Sequence, residues 1–182
     1  MVEIMYYVHG STIDNERKIA TGWDQIPLSL KGIEQTQMAA LQIDSQVYDV
    51  VFSSDLIRAI ESASILFADR RDDIKIDQRL RECNYGELTK RPNKELVFEE
   101  YIDTQFPCGE SLKDVEARMR DFLKELEINK YKKVAIVSHR IPQLALNVIL
   151  LKLSWKDAID RDWRVCGRWQ LGWRYVYSNE NL

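Results

Sequence analysis

Val134-Ala135-Ile136-Val137-Ser138 is an uncharged, almost wholly apolar run with His139 directly after it. Apolar, mostly β-branched side chains on successive positions bury both faces of a strand, as the centre of a parallel sheet requires and a one-sided antiparallel strand does not. Parallel neighbours need crossover connections, usually helical, which also cover the two faces. The rest of the sequence supplies such elements. Val2 to Val8 is a second strand-like run, rich in β-branched and aromatic residues, that stops at His9-Gly10. Ser29 precedes a helical pattern with apolar residues at Ile33, Met38, Ala39, Leu41 and Ile43, which reads as a capped amphipathic helix. Asp49 to Ser54 reads as another strand, and Asp55 to Ala68 as a helix carrying Leu56, Ala59, Ile60, Ala63 and Leu66.

Further along, Ile74 to Ile76 is a candidate short strand, and Leu80 to Pro107 is an irregular charged stretch, read mostly as loop with one short helix. Gly109-Glu110-Ser111 introduces a helix from Leu112 to Ile128, and a helix from Pro142 to about Leu153 follows the apolar strand, with proline tolerated in its first turn. Val165 to Tyr177 supplies one or two closing strands. Strand alternates with helix throughout, so the expected fold is α/β, a three-layer sandwich with a mostly parallel central sheet in a single domain over residues 1–182.

Composition narrows the function classes. Formal net charge is -3, which offers no general attraction to nucleic acid or an anionic membrane, so an anion site has to be built locally. Three separated cysteines, Cys83, Cys108 and Cys166, form no CxxC pair, and neither a disulfide framework nor a metal site is expected; a reducing cytoplasm fits best. The N-terminal apolar run is too short to span a bilayer and carries Glu3 where a signal peptide would carry basic residues.

The chain has two histidines, His9 and His139, and each directly follows a candidate buried strand. In parallel sheets ligands sit beyond the carboxyl ends of the strands, where an imidazole has useful acid, base and nucleophile chemistry near neutral pH. A lone histidine there is more often a structural hydrogen-bonding residue. Two from two point to a shared site.

Around them, Val8-His9-Gly10-Ser11-Thr12 through Asn15, Gly22-Trp23-Asp24 to Gly32, Ser53-Ser54-Asp55-Leu56-Ile57-Arg58-Ala59, Leu80-Arg81-Glu82 with Tyr85-Gly86-Glu87, Gly109-Glu110-Ser111 and Val137-Ser138-His139 occur in one order. Taken together they resemble the histidine phosphatase superfamily, with its phosphoglycerate mutase-like fold, over roughly residues 4 to 150. The resemblance implies a metal- and cofactor-independent phosphomonoester phosphatase acting on a small phosphorylated substrate. His9 would be the nucleophile that forms a phosphohistidine. Arg58, Asn15 and His139 would hold the phosphoryl oxygens, and Glu82 would act as acid and base. Gly22 and Tyr85 would line the substrate. Only 21 residues separate Tyr85 from Pro107, which favours the phosphatase branch over mutases with their longer insertion.

Two positions depart from the family pattern. Val8 stands where arginine would be the first guanidinium on the phosphate, and Arg140 stands where glycine follows the second histidine. Arg140 is therefore a candidate phosphate ligand that restores the charge. The alternative is that it points to solvent or pairs with an acid, leaving an impaired pseudoenzyme that serves as a binding or regulatory module. Lys90, Arg91 and Lys94 are candidates for a second anionic group, though a charged loop is usually a solvated one. The segment from Trp155 to Tyr177 holds four of the five tryptophans, interleaved with Arg161, Arg164, Arg168 and Arg174. Core packing is the simpler reading, a homodimer surface the alternative, and stacking on single-stranded nucleic acid is disfavoured by the acidic balance.

Overall fold

The computed structural model describes residues 1–166 and 170–178. Its strands and helices follow in the order β1 (Val2–Val8), α1 (Ile13–Glu16), α2 (Leu30–Ala40), β2 (Val50–Ser53), α3 (Ile57–Leu66), β3 (Lys75–Ile76), α4 (Leu112–Ile128), β4 (Lys133–Ser138), α5 (Arg140–Leu151), α6 (Trp155–Asp160), α7 (Trp163–Cys166) and β5 (Trp173–Tyr177). The sheet order is β3-β2-β4-β1-β5. β4, the apolar run, lies at its centre with parallel partners on both sides, and β5 closes the far edge antiparallel to β1.

The sheet's two-residue period divides the core. Ile4, Tyr6, Val50, Phe52, Val134 and Ile136 pack with α4 and α5 on one face, whereas Tyr7, Val51, Ala135 and Val137 meet Ala63, Leu66 and Phe67 from the α3 region on the other. The three-layer α/β architecture is thus as expected.

Several local expectations change. Ser29 does cap α2, its hydroxyl accepting from Gly32 N at 3.1 Å, but the buried positions of that helix are Gly32 and Thr36, while Met38 and Leu41 are exposed. The helix therefore presents a small, polar face inward. A Cβ on Gly32 would lie 1.9 Å from the carbonyl oxygen of Ser11, so only glycine lets the loop after β1 approach so closely. Residues 80–107 hold three 3₁₀ turns instead of one short helix. α5 begins at Arg140, two residues earlier than expected, with Pro142 still inside its first turn. Val165 falls in α7, so the C-terminal segment contributes one strand only among the described residues.

In that segment Trp155, Tyr175 and Tyr177 are buried in the main core, and Trp163 stacks with Trp173 at a centroid distance of 6.2 Å. Arg168 and Trp169 lie outside the described residues. No helix among the described residues is long and apolar enough to cross a membrane.

Candidate active site

β1 and β4 are neighbours with Val8 opposite Ser138, so the residues that follow each strand emerge side by side. His9 N donates to Ser138 O at 3.1 Å, and the two imidazole centroids are 5.0 Å apart. Ser54 arrives by the same logic: β2 flanks β4, and Ser54 N donates to Val137 O. The three strand ends thus lie side by side, and His9 among them lines a cleft of about 860 Å³, with the fully buried Ser54 and His139 outside its lining.

His9 Nδ1 lies 2.7 Å from Gly10 O. A carbonyl can only accept, so Nδ1 carries the proton and Nε2 of the neutral ring keeps its lone pair. Burial first, then the Arg58 charge, hold His9 down at about 3, so the ring is neutral at physiological pH. Arg58 Nε donates to that Nε2 at 3.3 Å.

Arg58 itself is 1% exposed. Its Nη1 and Nη2 donate to the carbonyls of Asp24 (2.9 Å) and Gly22 (2.7 Å), which fix the guanidinium plane. Gly22 reaches this position with φ +52°, a conformation natural to glycine, so its visible contribution is to aim Arg58. Burial lowers the Arg58 pKa, opposed by Glu82 and other acids nearby.

His139 is fully buried. Its Nε2 meets Ser54 Oγ at 2.9 Å, and Tyr6 Oη clamps its backbone, accepting from His139 N at 3.0 Å and donating to His139 O at 2.8 Å. Burial, then Arg58 and His9, push its pKa well below the ordinary value. Its Nδ1 is buried without a hydrogen-bond partner among the described residues. A buried polar group left unpaired costs about 1–3 kcal/mol; in the tautomer that protonates Nδ1, an anion oxygen placed there would relieve that penalty.

Glu82 is buried and lines the cleft. The neighbouring arginines are engaged elsewhere: Arg79 pairs with Asp77 and Glu125, and Arg81 with Asp55. The Glu82 carboxylate instead accepts from Cys83 N (2.9 Å) and Ile141 N (3.0 Å) on Oε1, and from Arg140 N (3.2 Å) on Oε2. It thereby satisfies the exposed N–H groups at the start of α5. Its own backbone is pinned by Trp23 Nε1 and Arg118 Nη2, both donating to Glu82 O.

Asn15 lines the cleft with its Oδ1 committed to Thr12 N at 3.0 Å in a reciprocal cap of α1, which leaves the amide nitrogen as its donor towards a ligand. Tyr85 is buried on the cleft wall against Phe98 and Phe106, and burial raises its pKa well above the usual value.

Arg140 does border the cleft, but its guanidinium is engaged: Nε donates to Asp162 Oδ2 at 2.5 Å, and the plane lies over the Phe98 ring at 4.7 Å. The acid-pairing alternative is the one observed. Asp162 is fully enclosed and also accepts from Arg164 Nη1 at 3.2 Å. Arg164 and Trp163 line the same cleft, and neither is marked in the sequence by any local motif. Among the other cations, Lys90 pairs with Asp14 and Asp24, and Arg91 with Glu95; Lys94 is exposed.

The sequence profile of the histidine phosphatase superfamily, branch 1, matches residues 7–175. Fructose-2,6-bisphosphatase TIGAR of Xenopus tropicalis is 37% identical over 129 residues, covering 65% of this chain and 47% of that protein, so the chain matches about half the length of that relative. The 2,3-bisphosphoglycerate-dependent phosphoglycerate mutase of Methanococcus vannielii is 26% identical, covering 87% of this chain and 85% of the mutase. A solved mycobacterial glucosyl-3-phosphoglycerate phosphatase aligns with a TM-score of 0.75 at 27% identity, over 86% of this chain and 82% of that one.

Proposed function

The chain belongs to the histidine phosphatase superfamily, and from that footing we propose that it hydrolyses small phosphomonoesters through a phosphohistidine at His9. The observation that carries the proposal is the unprotonated Nε2 of His9 in the cleft lining: Nδ1 is committed to Gly10 O, and the Nε2 lone pair accepts from Arg58 Nε at 3.3 Å, a contact that an entering phosphoryl group would take over.

In the first step His9 Nε2 attacks phosphorus, the bond from phosphorus to the ester oxygen breaks, and the leaving alcohol takes a proton from Glu82. In the second, Glu82 removes a proton from water, the hydroxide oxygen bonds phosphorus, and the N–P bond breaks to return His9 and release phosphate. Splitting one displacement into two suits a site that can neutralise the equatorial oxygens from several directions: Arg58 by a charged fork, Asn15 by its amide nitrogen, and His139 by Nδ1. For that last role Nδ1 carries the proton and Nε2 accepts from the Ser54 hydroxyl. Of the two Glu82 oxygens, Oε2 is the one to carry the transferred proton, because it makes the longer backbone bond.

Val8 supports a second reading, a member that binds anions as a regulatory or interaction module with little turnover. Phosphate release from an aryl phosphate, with H9A as control, separates the two. An acid-labile phosphoenzyme and His9-dependent turnover are expected; no His9-dependent release across a broad panel of phosphomonoesters refutes the phosphatase.

A further inference from the structure

We propose that Arg164 is the second guanidinium of the phosphate pocket, reaching from α7 to do what an arginine at position 8 would do from β1. The inference rests on the phosphate-handling reading of the cleft and names a group that no motif marks.

Val8, His9, Arg58 and Arg164 all line one cleft. Val8 packs part-buried against the main core, so that wall is apolar and offers the phosphate no donor of its own. Asp162 divides its two oxygens between two arginines, Oδ2 to Arg140 and Oδ1 to Arg164. One carboxylate between two guanidinium groups leaves one positive charge unneutralised within this trio. The geometry decides where that charge is available. Arg140 is tied by a 2.5 Å bond, stacked on Phe98, and sits at the head of α5 beside the Glu82 carboxylate. Arg164 has the longer 3.2 Å bond from Nη1, using one of its five N–H donors, and it lies over the Trp163 ring at 4.3 Å.

Position and charge agree. Behind burial and Arg58, the Arg164 charge adds to the depression of both imidazole pKa values. Burial lowers the Arg164 pKa in turn; the side chain is 25% exposed, so its charge is partly desolvated and gains more from a bound anion than a fully solvated arginine would. The adjacent Trp163 carries a buried indole N–H without a partner among the described residues, a second donor on the same wall. Asp162, in the turn between α6 and α7, therefore acts as the positioning residue for the arginine that the β1 end lacks.

The test is the affinity for inorganic phosphate and for orthovanadate, by titration calorimetry, of the full chain and of R164M, R140M, V8R and V8R/R164M. Losing a charge-assisted bond to the anion should weaken binding about 10- to 100-fold in R164M, and less in R140M. V8R should restore binding to R164M while improving the parent chain far less, because the two guanidinium groups would share one role. If R164M is unstable on thermal melting, R164K is read instead, with a partial loss expected because a point charge replaces the fork. Unchanged affinity in R164M or R164K, a larger loss in R140M, or equal gains from V8R in both backgrounds would overturn the assignment. Binding needs no turnover, so the outcomes separate. His9-dependent hydrolysis without Arg164 dependence sinks this inference alone. Arg164-dependent binding without hydrolysis sinks the phosphatase reading alone, and no binding of either anion sinks both.

Discussion

Keeping two imidazoles neutral inside the protein makes its stability depend on pH in a range where little else titrates. His9 has an ordinary value of 6.5 and is held at about 3 in the folded chain. Below pH 6.5 the unfolded chain takes up a proton that the folded chain refuses, so the unfolded state binds more protons and stability falls as pH falls. Each such group gives a limiting slope of about 1.36 kcal/mol per pH unit. From pH 7.5 to 5, allowing for partial protonation near 6.5, His9 alone removes about 2 kcal/mol. His139, depressed by burial, Arg58 and His9, adds a loss of the same sign. The carboxylates with lowered values, such as Glu3, Asp49 and Asp114, start from 4.5 or 3.8 and lose their contribution only below this window.

Urea melts at half-unit intervals between pH 7.5 and 5, with the midpoint and slope fitted separately, measure the effect directly. H9Q removes one titrating group and should flatten the curve by about 2 kcal/mol over the same interval, while leaving the His139 part in place. A 2 kcal/mol loss is a large share of the 5–15 kcal/mol that holds a domain of this kind together. Parallel curves for the parent chain and H9Q would refute the claim that the folded state holds His9 neutral, and with it the argument for an always-available nucleophile.

Three further outcomes follow from the contacts. E82Q should slow phosphate release about 10²- to 10⁴-fold for alkyl phosphates and far less for p-nitrophenyl phosphate, whose leaving group needs no proton; equal losses on both would refute the acid role. Y6F removes the clamp on His139 and leaves its buried N–H unpaired, while His139 O keeps the bond from Gln143 N; it should cost about 1–3 kcal/mol, read as a lower urea midpoint, with turnover falling as His139 loosens. G32A places a methyl 1.9 Å from Ser11 O and should destabilise by about 1–3 kcal/mol or more while displacing the His9 loop, which a lower melting temperature together with a raised KM would register.

The sequence made the sheet legible because its signals are local. A strand buried on both faces must be apolar at successive positions, and β4 is. The meeting of the two histidines was legible too, since a residue after β1 and one after β4 lie at the same end of a parallel pair whatever the exact register. Where a helix packs by small residues, the usual signal inverts. α2 buries Gly32 and Thr36 and exposes Met38 and Leu41, because the tight approach of the Ser11 loop leaves no volume for a large side chain. Hydrophobic periodicity reports burial of area and misses close backbone contact.

The charge balance of the pocket lies beyond local reading for a different reason. Val8 and Arg140 are visible as departures because they sit inside motifs, so sequence reasoning pairs one with the other. The ionic partner of Arg140 is Asp162, 22 residues on, placed by the packing of Trp155, Ala158 and Ile159 into the main core. That packing commits Arg140 to an acid and in the same contact brings Arg164 to the cleft. An arginine in a charged, aromatic-rich tail has no signature that separates a solvated residue from a ligand; only the shared oxygens of a buried aspartate do. For a phosphate site this matters more than motif completeness, since the anion responds to the number and direction of desolvated donors and not to the strand that delivers them. On the role proposed for Arg164, a pocket with valine at the β1 end and a guanidinium delivered from α7 should therefore keep its affinity for the anion.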